Sequence, residues 1–173
     1  MYKYFPFVAL ISICLGLLSC SDDDENAPPT STELLTAKAW VVQDADLDIE
    51  GLGDEFSDTL NLLEGLQQSR IQLRADQSFE VTNTNTGQTQ TGTWALLNDD
   101  TEIQFTELLD AEIFQGTTLS EEQLQDLQTY RITELSATRW EMENENNVTV
   151  TIPGVPIPVS LNVLIDITLV PEN

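Results

Sequence analysis

Hydrophobic and polar residues alternate one by one over much of the chain, most clearly near its C-terminus. Between residues 159 and 169 every odd position is aliphatic, and four of the five even positions are polar. A period of two is typical of a strand with one buried face and one solvated face. The same pattern predicts seven further strands, at residues 40–50, 70–75, 78–83, 91–97, 102–106, 129–135 and 139–152.

The seventh of these strands contains an interruption, residues 143–147, made only of Glu and Asn. If the interruption is a bulge, the chain has eight antiparallel strands. If it is a turn, there are nine. Many short strands separated by turn signals predict an all-β barrel or sandwich.

The predicted connections alternate in length along the chain. The long ones are residues 51–69, 84–90, 107–128 and 153–158, and the short ones are 76–77, 98–100 and 136–137. In an up-and-down meander, alternate connections lie at opposite ends of the sheet. We therefore expect a single up-and-down antiparallel barrel of about eight strands, with a mouth formed by the long loops and a closed base.

Short helices are expected in the two longest loops and just ahead of the first strand, at residues 31–35. The first long loop has an apolar face from Phe56 to Gln67, and the other has a capping box that starts at Ser120, ahead of Leu124 and Leu127. Apolar residues on mouth loops must bury against the rim or the lumen, so these helices are interpreted as lids.

Inward positions near the mouth are the candidates for ligand binding, whereas Trp40 and Trp140 should pack the base and Trp94 the middle of the barrel. An eight-stranded barrel is either filled by its side chains or holds one small ligand, so both interpretations stay open. The candidate residues are Ile49, Ile71, Val81, Phe105, Tyr130, Val150 and Val159.

The N-terminus has the features of an export signal. Lys3 is the only charged residue before Asp22, and the apolar run from Phe5 to Leu18 is shorter than the roughly 20 residues of a spanning helix. The run ends in Leu17-Leu18-Ser19-Cys20, which resembles the lipobox of bacterial lipoproteins. The resemblance implies a signal peptide at residues 1–19, cleavage before Cys20, and acyl chains such as palmitate on Cys20 that hold the protein to a membrane. The alternative is an ordinary secretory signal.

An acidic segment follows the lipobox, before Pro28-Pro29. It resembles the signal that sends lipoproteins of Bacteroidota to the cell surface, which implies a lipid anchor in the outer membrane. Retention at the inner membrane, which an acidic residue directly after the cysteine signals in proteobacteria, is disfavoured because that position is Ser21. The third interpretation, a purely solvated tether, is compatible with both. Residues 20–31 are in each case expected to form a lipidated, acidic and Pro-containing tether. The segment reads Ser21-Asp22-Asp23-Asp24-Glu25.

Composition excludes several functions. With 30 acidic residues, six basic ones and a formal net charge of −24, the chain repels nucleic acid, which is bound through Lys and Arg. The chain has no histidine. Cys14 is expected to leave with the signal peptide and Cys20 to carry lipid, so Ser-His and Cys-His catalysis and the usual zinc sites are excluded.

The many carboxylates do not by themselves indicate catalysis or metal binding. Close carboxylate pairs are expected by chance among so many acidic residues, so such a pair is no evidence of an active site. Alternating Asp44, Asp46 and Asp48 fit a solvated strand face better than a calcium loop. We therefore expect no enzyme, cofactor or metal.

Three short motifs resemble a known family. Residues Leu34 to Trp40 are similar to the "LLTGKW" opening of lipocalin-like lipoproteins of Bacteroidota, Gly92-Thr93-Trp94 to their "GTW" strand, and Tyr130 to Leu135 to their "Y-x-I-x-x-L" strand. Ala37 and Gln77 stand where the family has glycine. The resemblance implies a small calycin-type barrel over residues 32–173 and no settled ligand.

The function expected from these features is that of a surface-tethered, non-enzymatic, monomeric lipoprotein. Its barrel would bind a small apolar or amphipathic ligand at the open end. The alternative is a protein- or glycan-interaction module with a filled barrel, accessory to an uptake or secretion system.

Overall fold

A computed structural model describes residues 27–50, 66–106, 108, 120–150 and 158–172. Its eight strands form one closed, up-and-down antiparallel barrel, which confirms the predicted fold class. The elements in chain order are α1 (Ser31–Thr36), β1 (Trp40–Glu50), β2 (Ser69–Leu73), β3 (Ser78–Asn83), β4 (Thr89–Leu97), β5 (Glu102–Phe105), α2 (Glu121–Asp126), β6 (Thr129–Leu135), β7 (Trp140–Val150) and β8 (Val159–Pro171).

The barrel closes between its first and last strands. β1 pairs with β8 from Trp40↔Pro171 to the mouth, and the amide of Glu172 donates to the carbonyl oxygen of Ala39 at 2.9 Å. The chain therefore enters and leaves the barrel at the same end, the base. Because the closed barrel and its core lie within residues 27–172, a chain of residues 21–173 retains the whole fold.

Aromatic rings fill the interior in the lower part of the barrel. Trp40 and Trp140 meet edge to face with ring centroids 5.8 Å apart, which confirms their predicted packing. Phe105 packs edge to face on both Phe79 and Tyr130, at 5.4 and 6.1 Å. Such pairs add to the stabilisation that comes from burial alone.

Helix α1 covers the base. Its N-cap is Thr30, whose side chain accepts from the amide of Glu33 while the Glu33 carboxylate accepts from the amide of Thr30, a complete capping box. Leu35 is fully buried, and its carbonyl oxygen accepts a 3.0 Å hydrogen bond from the Trp40 indole. The helix is thereby fixed to the first strand of the barrel.

The seventh strand is continuous, so the chain has eight strands. The interruption at residues 143–147 is neither a bulge nor a turn, because β7 stays in one register with β8 from Trp140↔Leu169 to Val150↔Val159. The expected bulge was wrong. Asn144 and Asn146 instead stand opposite Ile165 and Val163 and share their inward side. The irregularities lie elsewhere, in β1 after Val42 and in β6 after Ile132.

Strands β1, β8 and β7 extend beyond their other neighbours toward the mouth. β1 pairs with β2 only at Trp40 and Val41, and the described pairing of β7 with β6 ends at Glu143. The mouth half of the described barrel is therefore a three-stranded ribbon with two edges that no described strand covers. The candidate site lies at one of these edges, where the longer strand β7 extends beyond β6.

The mouth helices are partly described. α2 has the predicted capping box, since Ser120 accepts from the amide of Gln123 and Gln123 accepts from the amide of Ser120. Leu127 after it is buried. Of the helix predicted over residues 56–67, only the helical residues Leu66 and Gln67 lie in the described part of the chain.

Candidate functional site

The barrel wall has a slit between β6 and β7, on the mouth side of the pair Arg131↔Glu143. Continued pairing would bring Tyr130 opposite Asn144, but the described strand ladder ends at Arg131↔Glu143, and beyond it the Asn144 side chain contacts β6. The C-terminal end of α2 lies at this gap, and the Gln123 side chain donates to the carbonyl oxygen of Thr149 at 3.2 Å. A helix, rather than a strand, therefore covers the edge of β7.

Two inward-facing amides hold that helix. The Asn144 side-chain nitrogen donates to the carbonyl oxygens of Asp126 and Thr129, both at 2.7 Å. The Asn146 nitrogen donates to the same Asp126 oxygen at 2.9 Å and to the Asn144 side-chain oxygen at 3.0 Å. We call Asn144 and Asn146 the amide pair. Both side chains satisfy the Asp126 carbonyl group, which lies at the end of α2 and has no partner within the helix, and Asn144 also binds the first residue of β6.

A cleft of about 400 Å³ opens at the slit. Its lining includes outward-facing residues such as Arg131 and Glu143 together with the inward-facing amide pair, so the cleft extends from the outer face to the amide pair. The lining residues are Glu102, Asp126, Thr129, Arg131, Glu143, Asn144, Glu145 and Asn146.

The charge of the cleft is strongly negative. Arg131 is its only basic residue, against four carboxylates, and it forms an ion pair with Glu143. That hydrogen bond and charge raise the pKa of Arg131 above its ordinary value. The other described basic residues are placed elsewhere, and Lys3 is the only one outside the described part.

The candidate ligand-binding residues separate into two groups. Ile71, Val81, Phe105 and Tyr130 are buried in the core, whereas Ile49 and Val159 are half-buried and pack against it. Val150 lies in β7, but its side chain falls outside what the structure describes. Leu47, next to Ile49 on the inner face of β1, is also half-buried.

The hydroxyl of Tyr130 is a polar atom in an apolar setting. It is fully buried and has no hydrogen-bond partner within the described residues. Burial raises the pKa of Tyr130 above its ordinary value, so the group stays a neutral donor. An unpaired buried donor is uncommon in a folded protein.

The outer side of the ribbon carries three carboxylates in one row. Asp46 stands opposite Asp166, which stands opposite Glu143; we call these three the acidic row. Partial desolvation, and then the charges of Glu143 and Asp46, raise the pKa of Asp166 above its ordinary value. Like charges directly opposite each other destabilise a sheet.

The described residues contain no group of three or more His, Cys, Asp or Glu that could hold a metal ion. Asp44, Asp46 and Asp48 are exposed, as expected for a solvated face.

Sequence reasoning missed the amide pair, because polar residues at two inner positions were interpreted as a break in the strand. The available signal was the spacing. Asn144 and Asn146 keep the parity of Met142 and Val148, so they occupy inner positions of an uninterrupted strand.

No protein-family model matches the chain, and a search of the curated proteins finds no significant match. In the described part of the chain, no helix is both long and apolar enough to cross a membrane. The predicted signal peptide at residues 1–19, the predicted lipid attachment site Cys20 and the predicted export segment Ser21 to Glu25 lie outside the described residues.

Proposed function

We propose that the protein is a non-enzymatic binding protein whose barrel takes a small apolar or amphipathic ligand at its mouth. The slit between β6 and β7 carries the proposal. A barrel wall that separates next to inward-facing amides, and is covered there by a short helix, provides a route to the interior.

The ligand is assigned to the mouth half of the barrel because the lower half is filled with aromatic rings. In the mouth half, Leu47, Ile49 and Val159 offer half-buried apolar surface from β1 and β8. The amide pair offers hydrogen bonds from β7. Apolar surface with a few placed polar groups is the usual composition of a small-molecule site.

The test is binding of N-phenyl-1-naphthylamine, a fluorescent apolar probe, to residues 21–173, together with native mass spectrometry for co-purified ligand and oligomeric state. Ile49→Gln should weaken probe binding about tenfold, the equivalent of roughly 1.4 kcal/mol of lost apolar contact. Val41→Gln is the matched control, since Val41 lies on the outer side of the same strand, opposite Val170, because the register shifts after Val42. If the wild type binds neither probe nor ligand, or both variants bind alike, the proposed site is wrong.

We also propose that Cys20 carries the membrane anchor, supported by the apolar run and the lipobox-like residues that precede it. Radiolabelled palmitate should be incorporated by the wild type and by Cys14→Ala but not by Cys20→Ala. Incorporation by Cys20→Ala would disprove the anchor.

We propose from the acidic segment Ser21 to Glu25 that the protein is exposed on the surface of the outer membrane. Protease added to intact cells should then degrade the protein, and replacing Asp22 to Glu25 by Asn and Gln should protect it.

The anchor and the fold together give an orientation. β1 begins and β8 ends at the base, so a tether over residues 20–31 would hold the base toward the membrane and the mouth away from it. The lipocalin-like family assignment is part of the same proposal and is supported by the closed eight-stranded barrel.

A second candidate function is an interaction module, and the acidic row favours it. Three carboxylates opposite one another cost stability unless a cationic partner neutralises them. The test is binding of an oligolysine peptide at low and high salt to wild type, to Asp166→Asn, and to Asp99→Asn as a charge-matched control in a turn at the base. Equal affinity for both variants would show only a response to net charge.

A further inference from the structure

The inner side of β7 carries two polar residues within an otherwise apolar surface. Its inward residues are apolar at Met142 and Val148, but Asn144 and Asn146 stand between them. Asn144 is only 2% exposed. Burying amides is unfavourable unless they form hydrogen bonds. Here one carbonyl acceptor, that of Asp126, belongs to the short helix α2, and the other, that of Thr129, belongs to the first residue of β6.

We propose that the amide pair is the binding site for an uncharged hydrogen-bond acceptor in the headgroup of an amphipathic ligand. In this closed state the carbonyl groups of Asp126 and Thr129 occupy the site, and ligand entry exchanges them for the headgroup. This inference rests on the proposed function and adds the class of ligand and the way it enters.

The covering helix is suited to such an exchange. α2 has six residues, which is too short to be stable alone, so its position depends on external contacts. Those given by the structure are the amide pair at its end, the buried side chain of Leu127, and two hydrogen bonds, from Gln123 to Thr149 and from the Thr129 hydroxyl to the carbonyl oxygen of Gln125. A ligand that takes the amides and the volume of Leu127 replaces the first two contacts and leaves the two hydrogen bonds.

The charges around the amide pair select the headgroup. Asp126, Glu143 and Glu145 line the same cleft and repel an anion, while Arg131 is already paired with Glu143. An ammonium group is attracted by these carboxylates, but it has only donors and cannot accept from the amide nitrogens. An ester, amide or hydroxyl oxygen is uncharged and accepts.

Three amphiphiles with the same decanoyl or decyl chain test this selection on residues 21–173: 1-monodecanoylglycerol, decanoate and decylamine. We expect the monoglyceride to displace N-phenyl-1-naphthylamine at a concentration at least tenfold below that of decanoate. Asn146→Leu should weaken the monoglyceride about tenfold and leave decylamine unchanged. Asn147→Leu is the matched control, because Asn147 is exposed on the opposite side of the same strand.

Hydrogen–deuterium exchange measures the helix independently of affinity. Exchange over residues 121–129 should accelerate in Asn146→Leu and in the wild type with monoglyceride, while β3 and β4 stay protected, which also shows that the variant is folded. Gln123→Glu keeps the capping box but loses the donor to Thr149. It should accelerate the same exchange without weakening the monoglyceride.

Two results would overturn the inference while leaving the proposed function intact. One is equal displacement by all three amphiphiles, and the other is unchanged exchange over residues 121–129 in Asn146→Leu. Failure of the wild type to bind any of the three amphiphiles or the naphthylamine probe would overturn the proposed function itself, and the inference with it.

Discussion

Gly92 stands where β3 and β4 leave no room for a side chain. It lies directly opposite Phe79, and a Cβ added to it would sit 2.5 Å from Cε1 and 2.7 Å from Cζ of that ring. The same Cβ would also press against the carbonyl oxygen of Thr106. Gly92→Ala should therefore destabilise the barrel, although a single methyl group is the smallest possible addition.

The size of this loss of stability depends on whether the neighbouring groups can move away from the added methyl group. The Phe79 ring is fully buried and packs edge to face on Phe105 at 5.4 Å, so it cannot withdraw without disturbing the aromatic core. Overpacking typically costs about 1–3 kcal/mol, and the contact with backbone places this site near the upper value. Alanine gives the unfolded chain less conformational entropy than glycine does, which stabilises the folded state by about 0.5–1 kcal/mol. The expected net loss is about 2 kcal/mol.

Urea unfolding of residues 21–173, followed by tryptophan fluorescence, measures this loss. Gly87→Ala is the control, because no atom lies within 4 Å of its added Cβ and its cost of about 1 kcal/mol comes only from a φ of +72°. Adding Phe79→Leu should make room for the methyl group, so the double variant should be at least 1 kcal/mol more stable than the sum of the single losses predicts. Simple additivity, or a loss no larger than that of Gly87→Ala, would refute the steric reasoning.

Three further substitutions test individual groups. Gln77 has a φ of +67° at a tight turn, so Gln77→Gly should raise the free energy of unfolding by about 0.5–1 kcal/mol, and an unchanged urea midpoint would contradict the strain. Asp166→Asn should stabilise by about 0.2–1 kcal/mol at pH 7. Because the folded-state pKa of Asp166 is raised, its ionisation disfavours the folded state as pH rises, so the gain should vanish at acidic pH where the carboxyl group is protonated. Asp44→Asn, opposite Thr168, should give no such gain in the same pH series of urea titrations. Tyr130→Phe should be neutral or up to about 1 kcal/mol stabilising in thermal unfolding, since the hydroxyl it removes has no described partner; a clear loss would reveal one.

The barrel could be predicted because local pattern and global fold agree over most of the chain. Alternation places the odd-numbered side chains from Leu161 to Leu169 in the core, with Val159 packed against it, and leaves Ser160 and Asp166 exposed. The capping box at Ser120 is equally local, since it joins residues three positions apart. Such signals need no knowledge of distant neighbours.

The site depended on contacts that no local pattern contains. Asn144 is buried because Asp126, 18 positions away in sequence, and Thr129 present carbonyl groups to it. The sequence also does not show how far from the base of the barrel an inward-facing residue lies. Ile49 and Ile71 are both inward, but the register sets Ile71 opposite Trp40 in the packed half and leaves Ile49 in the ribbon beyond. The alternation of a strand indicates which face a residue lies on, but only the pairing register shows how far along the barrel axis it lies.

If ligands enter as proposed, the same mismatch of strand lengths would make closure at the mouth reversible. Where the edges of β1 and β7 lose their strand partners, single side-chain amides take over: Gln67 donates to the carbonyl oxygen of Ala45 at 2.9 Å, and Gln123 to that of Thr149. A strand ladder can open only by breaking several hydrogen bonds together, whereas these contacts break one at a time. Segments held in this way belong to the least stable part of a fold, from which ligand-binding lids are drawn. The base, with Leu35 and Trp40 fully buried, should stay closed while the mouth opens.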